Sequence, residues 1–246
     1  MSASDPSTAR FQPRDDGEAI RLGPDRAARR LVLLHGWGAD ADDLVDLGMA
    51  LLQQAAAAGI DPAEVSLVAL RAPLPHPAGY GRQWYDLQLP EWPELPQALH
   101  ELRHRLEALA TSVPLAHTAL LGFSQGAAMA LDVATGGGSA SPAQALPLAA
   151  LIACSGYPHP DWQPMLPLAP VLLTHGEQDP VVPFAASEEL ERQLRLRGGV
   201  VRRIAFAGGH GIDPDLIPAL AAFLCEGWRR AAGTDQAPAG DPPSAV

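Results

Sequence analysis

The chain has 246 residues, 47% of them hydrophobic, which suits one large domain with a substantial core and excludes a wholly disordered chain. Its 28 acidic residues outnumber 17 basic ones, for a formal net charge of −11. Nucleic acid, which is held mainly through Lys and Arg, is therefore not an expected partner, and neither is an anionic membrane surface.

The N-terminal segment MSASDPSTARFQPRDDGE is polar, with no basic stretch followed by an apolar one, so no signal peptide is expected. No apolar run approaches the length of a membrane span, and stable membrane insertion is not expected; a cytoplasmic location is the expectation. Residues 1–16 and 232–246 read as disordered tails, the second rich in Pro, Ala and Gly, around a single domain at 17–231.

Within that domain, strand-length apolar runs alternate with helical patterns. Leu31–Leu34 reads as a strand, Asp42–Ala58 as a helix and Val65–Leu70 as a strand. The helix Leu95–Ala110 leads to the strand Thr118–Leu121, and the helix Gln125–Thr135 to the strand Ala149–Ala153. The strand Val171–Thr174, the helix Ala185–Arg197, the strand Val201–Phe206 and the helix Leu216–Arg230 complete the series. Several runs are apolar at every position, as strands are when helices cover both faces of a sheet. The fold class is α/β, with a mostly parallel sheet wound by right-handed crossovers.

Two stretches break the alternation. Ala72–Pro96 carries prolines at 73, 75, 77, 90, 93 and 96 together with Trp84, Tyr85 and Trp92, and reads either as a wall or lid over a pocket or as a loop whose aromatics pin it to the core. Gly136–Pro147 (GGGSASPAQALP) reads as a flexible surface loop. The two cysteines, Cys154 and Cys225, sit in LIACSG and AFLCEG and read as small buried side chains rather than a disulfide or a metal pair.

The segment TALLGFSQGAAMAL is a strand, a tight turn and a helix, with Gly122-Phe123-Ser124-Gln125-Gly126 at the turn. Such a turn strains the serine backbone and exposes its hydroxyl at the carboxyl end of the strand. The glycines leave room for neighbouring backbone, and the helix aims its free N–H groups at the site. Ser124 is the candidate nucleophile.

A serine hydroxyl needs an imidazole to take its proton, and the imidazole needs a carboxylate to fix its tautomer. For a strand–turn–helix serine the carboxylate and then the histidine follow along the chain. His159, His175 and His210 remain after Ser124. Asp179 ends PVLLTHGEQDP, at the carboxyl end of a strand, with Glu177 as its nearby rival. His210 lies in AGGHGI just after VRRIAF, between glycines that let a loop carry the ring inward. Asp179 is the candidate acid and His210 the candidate base. Upstream, LVLLHGWGADADDL turns at His35-Gly36-Trp37-Gly38, and the backbone N–H groups of Trp37 and Gln125 are the expected oxyanion donors. His35 reads as a structural hydrogen-bonder.

His100-Glu101-Leu102-Arg103-His104 matches the zinc signature H-E-x-x-H. On a helical wheel, however, Leu95, Leu99, Leu102, Leu106 and Leu109 fall within roughly 40° of one direction, and His100 and His104 lie at about 140° and 180° from its start. The histidines are expected on the solvated face, without an evident third ligand, and no metal is assigned.

Taken together, LLHGWGAD, RAP followed by GRQWYDL, LLGFSQGAAMAL, SGY, PVLLTHGEQDPVVPF and AGGHGI resemble the phospholipase/carboxylesterase family of α/β-hydrolases, which includes the acyl-protein thioesterases. The resemblance runs from about Leu31 to Phe223. It implies an α/β-hydrolase fold, a monomer or homodimer that needs no metal or cofactor, and the triad and oxyanion donors named above. It also implies that Gln83, Trp84 and Tyr85 lie near the acyl site, with Trp92 joining an apolar wall. The implied substrates are small-molecule esters or thioesters, acylated proteins or lysophospholipids. Trp37 departs from the family, where a smaller aliphatic residue is common, and so do the 136–147 insert and the run Pro90–Pro96. A serine peptidase of the same fold, which would cleave amides faster than esters, and a noncatalytic binding protein, which would form no acyl-enzyme, are the alternatives.

Overall fold

The computed structural model describes residues 12–136, 144–166 and 168–235. Eight strands form the main sheet: β1 (Arg14–Asp15), β2 (Ala19–Leu22), β3 (Arg29–Leu34), β4 (Val65–Leu70), β7 (Thr118–Phe123), β8 (Ala150–Cys154), β9 (Val171–Gly176) and β10 (Val201–Phe206). A separate two-stranded ribbon pairs β5 (Leu74–Pro75) with β6 (Arg82–Gln83). The order across the main sheet is β1-β2-β4-β3-β7-β8-β9-β10; β2 runs antiparallel to its neighbours β1 and β4, and the pairings from β4 through β10 are all parallel. Five helices accompany them: α1 (Val45–Ala57), α2 (Leu95–Leu109), α3 (Gln125–Thr135), α4 (Ala185–Leu196) and α5 (Ile217–Asp235). This is the α/β-hydrolase arrangement.

Side-chain alternation along each strand explains the two-sided apolar runs. Val32 and Leu34 of β3 face a core shared with Leu102 and Leu106 of α2, Met129 of α3 and Leu190 of α4. Leu31 and Leu33 face the opposite layer, with Leu51 of α1 and Leu220, Leu224 and Trp228 of α5. Burying each such side chain stabilises the fold by roughly 1.5–3 kcal/mol. Cys154 and Cys225 are free and buried in the α1/α5 layer, as small core residues.

The predicted strands and helices recur with shifted ends. β3 begins two residues early, at Arg29, because Arg30 is buried. Its guanidinium donates to Leu109 O at 2.6 Å and to Ser112 Oγ at 2.7 Å, closing the carboxyl end of α2. Burial holds its pKa down at about 10. Both tail boundaries need correction. Arg14 and Asp15 belong to the sheet, and Arg14 pairs with Asp25 at 2.7 Å. At the other end α5 continues through Asp235. The remaining tail residues, 1–11 and 236–246, lie outside the described residues, as do 137–143 of the predicted loop. The end of that loop is corrected too: Leu146 is core, and its N–H donates to Ala134 O. No helix among the described residues is long and apolar enough to cross a membrane.

Candidate active site

β7 runs directly into Ser124, whose backbone sits at φ 53°, ψ −118°, and then into α3. A non-glycine residue held there is strained by roughly 1–3 kcal/mol, so its surroundings must enforce the conformation. They do so by close packing that only glycine permits. A Cβ on Gly126 would stand 2.2 Å from Leu34 O, and one on Gly122 would stand 2.3 Å from Gly126 O. The elbow is thus clamped onto the end of β3.

Ser124 Oγ lies 2.8 Å from His210 Nε2, and His210 Nδ1 lies 2.8 Å from Asp179 Oδ2. The Asp179 side chain is fully buried. Burial pushes its carboxyl pKa up, but the His210 hydrogen bond and the N–H groups of Val182 and Val181 outweigh this and hold it below the ordinary value. Asp179 therefore accepts from Nδ1–H, which leaves Nε2 to accept from the serine hydroxyl. Glu177, the rival carboxylate, is exposed. His175 was not anticipated at the site: it is buried, and its Nε2 lies 2.9 Å from Val182 O and 3.4 Å from Asp179 Oδ2, backing the carboxylate.

The loop after β3 runs beside the elbow. A Cβ on Gly36 would lie 3.4 Å from Ser124 Cβ. The backbone N–H groups of Trp37 and Gln125 have no backbone acceptor among the described residues, so both are available to an anion. The Trp37 indole donates to Gln83 Oε1 at 2.8 Å and meets His76 edge-on at 4.2 Å. It is held by the β5–β6 ribbon.

The four residues expected to contact substrate divide into two kinds. Gln83, Trp84 and Tyr85 are buried to 4%, 1% and 0% exposure, so their side chains are posts beneath the surface and not a wall facing an acyl chain. Trp84 N–H donates to Gln125 Oε1, and Gln125 Nε2 donates to Tyr85 O, tying this segment to the residue after Ser124. Trp92 is half-buried and packs on Tyr85 with ring centroids 5.3 Å apart.

Beneath Trp92 lies a polar network that sequence reading missed. Asp132 Oδ2 is 2.9 Å from His159 Nδ1, His159 Nε2 is 3.0 Å from Tyr85 OH, and that hydroxyl is 2.7 Å from Tyr157 OH. Burial pushes the Tyr157 phenol up to about 12 and the Tyr85 phenol higher still, so both stay neutral donors. Asp132 inside an otherwise apolar helix was the available signal, because a buried carboxylate requires a partner.

His100 and His104 of α2 are exposed, while Leu102 and Leu106 are buried, as the wheel predicted.

Residues 15–226 match the family model described as Phospholipase/Carboxylesterase. Among solved structures, esterase PE8 is 30% identical with a TM-score of 0.70, the alignment covering 85% of this chain and 98% of that one. The carboxylesterase of Bacillus cereus is 18% identical with a TM-score of 0.68, covering 85% and 93%. The phospholipase/carboxylesterase of Dyadobacter fermentans is 21% identical with a TM-score of 0.63, covering 84% and 95%. These last two likenesses concern the fold. The comparison with curated proteins gives no match.

Proposed function

This chain belongs to the phospholipase/carboxylesterase family, a family of ester hydrolases, and on that premise we propose that it cleaves carboxylic esters or thioesters through an acyl-enzyme on Ser124. The observation that carries the reading is the unbroken hydrogen-bond chain from Ser124 Oγ through His210 to Asp179, with both steps at 2.8 Å.

In this mechanism His210 Nε2 takes the hydroxyl proton as Ser124 Oγ attacks the carbonyl carbon. Asp179 holds the ring in the required tautomer and stabilises the imidazolium. The N–H groups of Trp37 and Gln125 receive the oxyanion; each such donor contributes roughly 3 kcal/mol in hydrolases of this chemistry. His210 then gives its proton to the leaving oxygen or sulfur, the acyl bond to that atom breaks, and the alcohol or thiol departs. Water repeats the sequence on the acyl-enzyme, releasing the acid and restoring Ser124. Every protein group in the cycle belongs to the chain itself, with water as the co-substrate, and no step calls on a cofactor.

The test is covalent labelling. Purified protein and its Ser124→Ala variant are incubated with a fluorophosphonate and analysed by intact mass. One adduct on the wild type and none on the variant is the expected result, followed by turnover of p-nitrophenyl esters of rising chain length. Absence of label on folded wild-type protein would sink the proposal.

A further inference from the structure

A groove of about 510 Å³ has His210 in its own wall. Phe123, the residue before the nucleophile, also lines it, with its ring centroid 5.0 Å from that of His210. Leu47 of α1, Ile212 from the approach to α5 and Ile217 at its first position supply further apolar surface. The volume lies within the range of small-molecule sites.

The position of His210 decides what this groove receives, given the serine-hydrolase reading on which the inference rests. When the tetrahedral intermediate collapses, His210 Nε2 must lie within hydrogen-bond reach of the departing oxygen or sulfur. Whatever is attached to that atom lies beside the imidazole. A groove walled by His210 is therefore suited to the leaving group rather than the acyl chain.

The charge of the groove narrows the leaving group. Asp43 and Asp46 line it with exposed carboxylates, neither ion-paired among the described residues, and no arginine lines it. Apolar walls keep such a field from being fully screened, and the chain's net charge of −11 adds to it. We propose that this groove is the leaving-group subsite and that it selects alcohols or thiols built as an apolar body bearing a cation, such as a quaternary or protonated amine. The reaction balances as for any ester: Ser124 Oγ forms the new acyl bond, the carbonyl bond to the leaving atom breaks, the proton from Ser124 passes through His210 to the departing aminoalcohol or aminothiol, and water later releases the acid.

Asp46 also stands in the first turn of α1, where a carboxylate meets the positive end of the helix, and the experiment separates that role from substrate selection. Butyrylthiocholine is compared with 3,3-dimethylbutyl thiobutyrate, an uncharged near-isostere with the same acyl group. Wild-type kcat/KM should favour the cation by roughly tenfold at low salt, with the preference shrinking at 0.5 M salt, an order of magnitude set by two partly screened charge pairs. The Asp43→Asn/Asp46→Asn double variant should bring the ratio near one by slowing the cationic substrate. Leu47→Arg, which places a cation in the groove, should reverse the preference. Ready hydrolysis of both thioesters at equal rates by the wild type overturns this inference and leaves the serine hydrolase standing. An unchanged ratio in the double variant, with only a lower Tm, gives the carboxylates to the helix and also overturns it. Failure to hydrolyse either substrate, together with no fluorophosphonate adduct, overturns both readings.

Discussion

His35 Nε2 accepts a hydrogen bond from the Ala72 backbone N–H at 3.1 Å, while its Nδ1 lies 2.8 Å from Gly36 O. The ring must therefore be neutral, with its proton on Nδ1, and it joins the loop after β3 to the start of the proline-rich segment. Burial pushes its pKa below the ordinary 6.5. The unfolded chain then binds a proton that the folded chain resists, so stability is full above about pH 6.5 and declines as pH falls toward the folded pKa. Thermal melts of wild type and His35→Gln between pH 5 and 8 check this. The wild type should lose Tm on acidification, and the variant should start lower and show a shallower slope.

The strain at Ser124 predicts an inverse relation between stability and activity at that one position. Ser124→Gly removes the nucleophile and the left-handed penalty together, whereas Ser124→Ala removes only the nucleophile. The glycine variant should be the more stable of the two by about 1 kcal/mol in urea unfolding, and both should be inactive.

Gly126→Ala should be far more damaging than a one-carbon change suggests. The added methyl would meet Leu34 O and His35 O, both backbone atoms of the segment that carries the oxyanion loop. A loss of activity of about a hundredfold or more is expected where the N–H of Gln125 is displaced, measured on p-nitrophenyl acetate with the folded fraction followed by circular dichroism.

The buried Asp132–His159–Tyr85 network should act on the reaction through Gln125, since Tyr85 O and Trp84 N–H hold that side chain. Asp132→Ala leaves a buried imidazole without its acceptor and should cost roughly 2–4 kcal/mol of stability. Tyr85→Phe should retain most of the stability but lower kcat several-fold with KM little changed, because the oxyanion donor is loosened and ground-state binding is not.

Treatment with EDTA, and the His100→Ala/His104→Ala variant, should leave esterase activity intact. Both imidazoles are exposed, and in the cavity they border Arg71, Arg82 and Arg105 outnumber the carboxylates Glu18 and Glu101, a balance that disfavours a divalent metal.

The contrast between what sequence could and could not reveal follows from the range of each interaction. The parallel strands were legible because β3, β4, β7, β8 and β9 are covered on both faces, so nearly every side chain is apolar. Ser124, Asp179 and His210 stood out because each follows a strand in glycine- or proline-marked turns, and the structure brings all three together. The edge escaped notice: Arg14–Asp15 and Ala19–Leu22 are too short and too charged to show a period, and only pairing with β4 makes β2 a strand. Trp84 and Tyr85 left two readings open, a pocket wall or pins to the core, because aromatic residues in a proline-rich loop are ambiguous. Their burial depends on Gln125, His159 and Tyr157, which lie 40 or more residues away.

Apart from Phe123 and His210, the groove is built from α1 and the segment around the start of α5, whereas the elbow is locked by contacts among β3, β7 and α3. Residues such as Leu47, Asp46 and Ile217 can therefore change without disturbing the atoms that react. On the proposed reading, such a chain can drift toward new alcohols and thiols by surface substitutions alone, so close homologues would share one chemistry while differing in the molecules they consume.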